Sequence, residues 1–214
     1  FNFAVHGTCY SDDNLKMSAD FMGYAERRIE NVMLEKKTPV VAMFINGTEG
    51  DVSPANGKGG DGAKMGGEGL GQKVLELIPN ITTNRDLSIA VVNEEITFKK
   101  AHLNLDLFDE RRDVEVDCWG IRNWLAELSP DARFKLKVEI TGMVPMSFRF
   151  QALRLGNTVI ACIPGEALTN IGTMIKAAGR KLGFSNTFIF GLANGHMGYI
   201  TDEQNFDEGG YEAM

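Results

Sequence analysis

The stretch that decides the fold is Phe148-Arg-Phe-Gln-Ala-Leu-Arg-Leu-Gly-Asn-Thr-Val-Ile-Ala-Cys-Ile-Pro-Gly-Glu166. Aromatic and aliphatic residues up to Leu155 have the pattern of a strand, and Gly156-Asn157 is a typical two-residue turn. A second apolar run then extends over Thr158–Ile163. The stretch therefore predicts a β-hairpin, and Pro164-Gly165 after it marks the end of the second strand.

Outside this hairpin, apolar residues recur with helical or strand-like spacing in an irregular order. Further strands are predicted at 1–6, 40–45, 86–98 (one long strand or two short ones), 135–140 and 187–192. Helices are predicted from Ser18, as N-cap, to about Glu35, at about 70–78, on the face that contains Cys118 to Leu128, and from Glu166 to a stop at Gly183. Because the alternation is not strict, the sequence favours an α/β fold of mixed β-sheets packed with helices over a doubly wound sheet.

Glycine is concentrated between Gly57 and Gly71. Glycine is unfavourable inside helices and strands, so this composition predicts a loop. Because long loops in compact domains are usually functional or mobile, the segment is a candidate part of a site.

Size and charge exclude several classes of protein. The chain has 214 residues, 43% of them apolar and 24% charged, which fits one catalytic-type domain over residues 1–214. No apolar run approaches the roughly 18 residues that a membrane-spanning helix needs. A net charge of −7 argues against nucleic acid as a partner. Three cysteines without CxxC spacing argue against a disulfide framework or a cysteine-based zinc site.

The chain starts at Phe1-Asn2-Phe3, inside a strand-like alternation and without a methionine. We therefore expect it to be the interior of a longer protein, N-terminally incomplete, so that a site completed by residues upstream of Phe1 would be only partly contained in it.

Residues that can carry chemistry follow predicted strands and stand next to glycines, where a rigid sheet positions them. His6 is either a metal ligand or base, or a structural histidine, and Ser53 is either a nucleophile or part of a Ser-Pro turn. Glu166 is either a metal ligand or a first-turn carboxylate that complements a helix dipole. His196 and Tyr199 belong either to a site or to a packed loop. Spacing alone leaves these alternatives open.

Taken together, these segments resemble the N-terminal catalytic domain of the neutral (non-lysosomal) ceramidase family. The matches occur in the family's order and span nearly the whole chain. They are Asn2-Phe-Ala-Val-His-Gly-Thr8, Gly23-Tyr24-Ala25, Gly50-Asp-Val-Ser-Pro54, Pro164-Gly165-Glu166, Gly191-Leu-Ala-Asn194 with Gly198-Tyr199, and Tyr211-Glu212.

The resemblance implies a zinc-dependent amidohydrolase that cleaves the N-acyl bond of ceramide or a related N-acyl lipid. It implies that His6, Glu166 and Tyr199 bind Zn²⁺, that Ser53 is the catalytic serine, and that Tyr211 steadies the tetrahedral intermediate. A second zinc histidine and an active-site arginine of the family are upstream and have no counterpart here. Attack by Ser53 and attack by a zinc-bound hydroxide both remain open.

The chain departs from the family at Cys9, where Ser is expected, at Ala55, where Asn is expected, and at Ala213-Met214, where Gly-Ala is expected. Two alternatives therefore stand beside ceramide hydrolysis: the same scaffold acting on another amide or ester, and a non-catalytic binding homologue. The resemblance further implies a lipid-like substrate, possible contact with a membrane surface and an extracytoplasmic (secreted or periplasmic) location.

Overall fold

The structure is a computed structural model that describes residues 1–55, 57–83, 86–106, 135–139, 141–209 and 211–213. The helices are α1 (Asp20–Glu35), α2 (Gly59–Leu77), α3 (Thr169–Lys181) and α4 (Glu203–Glu208), with 3-10 turns at Ile78–Asn80 and Tyr211–Ala213. The strands are β1 (Asn2–Phe3), β2 (Ile45–Asn46), β3 (Ile89–Thr97), β4 (His102–Asp106), β5 (Lys135–Glu139), β6 (Ser147–Leu155), β7 (Thr158–Cys162), β8 (Glu166–Ala167), β9 (Asn186–Phe190) and β10 (Tyr199–Ile200). This mixture of sheets and helices confirms the predicted fold class.

The largest sheet is built on the predicted hairpin. Its strand order is β3-β6-β7-β9, with β3, β6 and β7 antiparallel and β9 parallel to β7. Leu155 pairs with Thr158 across the turn, as the sequence predicts. Helix α3 packs Ile171 and Ile175 against a buried cluster that includes Ile163 and Ile189. It ends before Gly183, whose φ of 88° suits a helix stop.

Two short parallel pairs, β1 with β2 and β8 with β10, stand beside this sheet. The second pair corrects the prediction that Glu166 starts a helix, because Glu166 lies on β8 and α3 begins at Thr169. The amide of Glu166 donates to Gly198 O at 2.9 Å, and the amide of Leu168 donates to Ile200 O at 3.0 Å. These bonds to β10 keep the backbone extended for three residues longer than the helical pattern indicates.

The glycine-rich segment is a helix, so its prediction as a loop is wrong. Seven of the 19 residues of α2 are glycine. A Cβ on Gly67 would lie 2.2 Å from Phe21 O, and a Cβ on Gly71 would lie 2.8 Å from Ala25 O. Contact between the backbones of α1 and α2 thus compensates for the low helix propensity of glycine. The predicted helix at 70–78 is the C-terminal part of α2.

Two further predictions are corrected next to α1. Ser18 is not the N-cap, because α1 begins at Asp20 and the Ser18 hydroxyl accepts from the Asp20 amide. The segment 40–45 is not a buried strand: only its last residue joins β2, and Val41 is 88% exposed. In this segment the amides of Ala42 and Phe44 donate to glutamate side chains of α1, and not to the backbone of a neighbouring strand.

Other predictions have mixed outcomes. Residues 86–98 contain one long strand rather than two, and a strand runs over 135–139 as predicted. The tail after β9, predicted to be irregular, contains β10 and α4. The predicted helical face from Cys118 to Leu128 lies outside the described residues.

Cys9 and Cys162 are buried free thiols. Among the described residues, no helix is both long enough and apolar enough to cross a membrane.

The α1–α2 contact gives a first prediction. Gly67→Ala should lower the free energy of unfolding by about 1–3 kcal/mol, because the new methyl group overlaps the α1 backbone. Gly69→Ala is the matched control on the same helix, since a Cβ there meets no atom within 4 Å. It should raise stability by up to about 1 kcal/mol through helix propensity. Urea unfolding followed by circular dichroism measures both, and equal effects would contradict the packing role of Gly67.

Candidate active site

The strand pairs bring together side chains that are far apart in the sequence. Glu166 on β8 and Tyr199 on β10 are direct register partners. His6 follows β1, and its amide donates to Val52 O at 2.9 Å, which joins it to the loop that contains Ser53. The amide of Gly50 in the same loop donates to Ala167 O at 3.1 Å. Backbone hydrogen bonds therefore connect the chain segments that carry His6, Ser53, Glu166 and Tyr199.

The carboxylate of Glu166 lies between two imidazoles. His6 Nε2 is 3.5 Å from Oε2, and His196 Nε2 is 2.9 Å from Oε1. His6 Nε2 also lies 3.3 Å from Gly50 O. The side chains of His6 and Glu166 are 20% and 17% exposed, whereas that of His196 is 60% exposed. His196, which the sequence left between a site and a packed loop, is thus in contact with a predicted metal ligand.

Two tyrosines complete this group. The Tyr199 ring is 6.2 Å from that of His6 and 5.6 Å from that of Tyr211, edge to face in both cases. Burial, with the negative charge of Glu166 as a smaller cause, raises the pKa of Tyr199 to about 12. Its phenol therefore keeps its proton near neutral pH in the metal-free site. The structure thus brings His6, Glu166, Tyr199 and Tyr211 together.

Ser53 lies on an exposed part of the loop that follows β2. This loop is fastened to the start of α3, where Asp51 Oδ1 accepts from the Thr169 amide at 2.8 Å and from its hydroxyl at 2.7 Å. Ser53 also lines a cavity of about 500 Å³. The fastened loop holds the serine beside the candidate site without burying its hydroxyl.

Glu49 is a residue that the sequence interpretation missed. It is fully buried, and within the part of the chain that the structure describes neither carboxylate oxygen has a hydrogen-bond partner. Burial raises its pKa to about 7, an effect that the charges of His6 and His196 oppose and that of Glu166 enhances. The available signal was an acidic residue four positions after the apolar run 40–45, in a segment that the sequence pattern assigns to a loop.

These residues fit a Zn²⁺ ion in their donor chemistry. Imidazole nitrogen and carboxylate oxygen are usual zinc ligands, and the Tyr199 hydroxyl adjoins both. The unpaired oxygens of Glu49 add buried negative charge that a cation would offset. Within the described ranges, however, no three His, Cys, Asp or Glu side chains are arranged so that they could already hold a metal ion, although His6 and His196 both contact Glu166. The donor set therefore suits zinc but needs a further ligand or a rearrangement of the carboxylate.

Glu49 gives a second prediction, for the metal-free protein. Its pKa of about 7 lies above the ordinary value of 4.5, so the folded state binds this proton more tightly than the unfolded state. The stabilisation that comes from this tighter proton binding is complete below about pH 4.5 and is lost as the pH rises through 7. Glu49→Gln should therefore be more stable than the parent by about 2 kcal/mol at pH 8 but not at pH 4.5.

Urea unfolding at the two pH values, with a chelator present, measures this difference. The exposed Glu68→Gln on α2 is the matched control for replacing a glutamate with glutamine outside the site. A Glu49→Gln variant that is less stable than the parent at pH 8 would contradict the assignment.

Comparison with known proteins agrees with the architecture. No protein-family model and no curated protein matches the chain. Among solved structures, the chain is similar to the neutral ceramidase from Pseudomonas aeruginosa, with 19% identity and a TM-score of 0.72 over 99% of this chain and 39% of that one. A ceramidase complexed with C2 gives 18% identity and a TM-score of 0.74 over 99% and 41%. The chain spans about two fifths of these proteins, and over that span it has the ceramidase fold that the resemblance predicts.

Proposed function

We propose that the chain forms part of a zinc-dependent amidohydrolase that cleaves the N-acyl bond of ceramide or a related N-acyl lipid, releasing a sphingoid base and a fatty acid. The observation that carries this proposal is the contact of Glu166 with His6 and Tyr199. The fold shared with ceramidase structures supports it independently of the site. An extracytoplasmic location and contact with a membrane surface, both implied by the resemblance, belong to the same proposal.

Three side chains would hold the metal. His6 contributes Nε2, Glu166 contributes its carboxylate, and Tyr199 contributes its hydroxyl. Zn²⁺ supplies a Lewis acid that polarises a carbonyl oxygen and stabilises negative charge. Because the pKa of Tyr199 is about 12 without metal, this hydroxyl enters the donor set either as a neutral phenol or by releasing its proton. The resemblance places a further zinc histidine upstream of Phe1.

Ser53 would act on the amide carbonyl. A serine hydroxyl needs a base or a metal to accept its proton before it becomes a good nucleophile. Ser53 lies in the loop whose Gly50 carbonyl contacts the His6 ring and whose Val52 carbonyl accepts from the His6 amide, which supports this role. Tyr211, 61% exposed and packed on Tyr199, would donate its hydroxyl proton in a hydrogen bond to the developing oxyanion.

The full-length protein should release fatty acid from a short-chain ceramide. Release should stop when a chelator removes zinc and should return when zinc is added back. Protein that carries zinc but releases no fatty acid would exclude ceramide as the substrate and direct the search to other amides and esters.

Two variants separate the proposed roles. Ser53→Ala should lower kcat by at least about 100-fold and leave zinc content unchanged, whereas Glu166→Gln should lower zinc content as well. Ser88→Ala, an exposed serine outside the site, is the control. Near-parental activity in Ser53→Ala would reject this residue as the nucleophile.

A further inference from the structure

The cavity beside Ser53 has a mainly apolar wall. Its volume of about 500 Å³ is within the range of small-molecule sites. Phe3 and Val5 from the β1 segment, Phe21 from α1 and Leu70 from α2 contribute apolar side chains, and Ser53 contributes a hydroxyl. The proposed nucleophile therefore lies on the wall of a space suited to an apolar group.

One side of the cavity is a helix face without side chains. Gly62, Gly66 and Gly69 line it and recur at intervals of four and three residues, which places them on one face of α2. These glycines differ from Gly67 and Gly71, which contact α1. A Cβ on Gly69 would meet no atom within 4 Å, so packing does not require glycine there. The absence of side chains on this face makes room in the cavity.

The ionisable groups of the wall do not favour a charged occupant. Burial and a hydrogen bond with Asp20 raise the pKa of Cys9 to about 11, so this thiol is neutral at physiological pH. Lys73 is charged, but its ammonium group is paired with Glu76 at 2.8 Å. An uncharged, apolar occupant fits these surroundings best.

We propose that this cavity receives the fatty acyl chain of the substrate and that the glycine face of α2 sets the chain length it accepts. The inference rests on the proposed function, because the acyl carbon is the atom that Ser53 would attack. An acyl chain attached to that carbon starts at the cavity wall. Each methylene group that the cavity buries should raise kcat/KM by about fourfold.

A second cavity provides an internal control. It has a volume of about 360 Å³ and is lined by residues that include Phe98, Val144, Phe148 and His196. Ser53 is not among its lining residues, and the two cavities share none. Filling this second cavity should not affect selectivity for the acyl chain.

The experiment compares Gly69→Leu with two controls. Gly69→Leu places a side chain in the cavity and also improves helix propensity, so the fold should be retained. Glu68→Leu places the same side chain at an exposed position of α2 that does not line the cavity, and Val144→Phe fills the second cavity. For each protein, kcat/KM is measured on N-acyl sphingoid bases that share one amine and carry acyl chains of two to sixteen carbons.

Gly69→Leu should lower kcat/KM at least tenfold for the long chains and leave the two-carbon substrate unchanged. Glu68→Leu and Val144→Phe should keep the parental dependence on chain length. An equal loss at all chain lengths in Gly69→Leu, or altered chain selectivity in Val144→Phe, would overturn the proposal.

A binding measurement distinguishes failure of this inference from failure of the proposed function. If the parent protein releases no fatty acid from any of these substrates, binding of the fluorescent fatty acid cis-parinaric acid still tests the cavity. The parent and Val144→Phe should bind it equally, and Gly69→Leu should bind it at least tenfold more weakly. Equal binding by all three proteins would reject the acyl cavity.

Discussion

The pairing of β8 with β10 is the constraint on which the candidate site depends. Two residues from each strand form it, yet it places Glu166 opposite Tyr199 and keeps β8 extended. On the other edge of β8, Ala167 O accepts a hydrogen bond from the Gly50 amide. This bond joins β8 to the loop that contains Ser53. Without this pairing, the sequence pattern after Pro164 favours a helix that begins at Glu166 instead of at Thr169. A short backbone ladder thus converts four separate segments into one site.

Hydrogen bonding from both sides also accounts for the burial of Glu49. The segment from Gly47 to Gly50 lies between β9 and β8, and a Cβ on Gly191 would come within 2.8 Å of Glu49 Oε2. A carboxylate in such a position is costly unless it is protonated or a cation lies nearby. Glu49 interacts electrostatically with His6 and Glu166, so its charge would bear on any cation held in the proposed zinc site. A cation in the proposed zinc site would therefore also lower the cost of burying the Glu49 carboxylate.

Local pattern predicted the parts of the fold that local interactions determine. The hairpin around Gly156-Asn157 and the stop of α3 at Gly183 depend on turn and cap chemistry, and both were predicted. Three errors had long-range causes: β10 extends β8, glutamates of α1 bind the 40–45 segment, and the α1 backbone allows α2 to form despite its glycines. For the site, the resemblance named His6, Glu166, Tyr199 and Tyr211, which the structure brings together. Glu49 was missed because its isolation from hydrogen-bond partners is a property of the packed state.

The bonds between Asp51 and Thr169 connect the serine loop to the first turn of α3, and this connection affects how the protein would respond to heat. Helix ends open locally at a lower free-energy cost than the central sheet unfolds. Fraying of that single turn would release Asp51 and, two residues further, Ser53. On heating, the loop that carries Ser53 would then be released by a local opening of the first turn of α3. The four-stranded sheet would still be folded at that temperature.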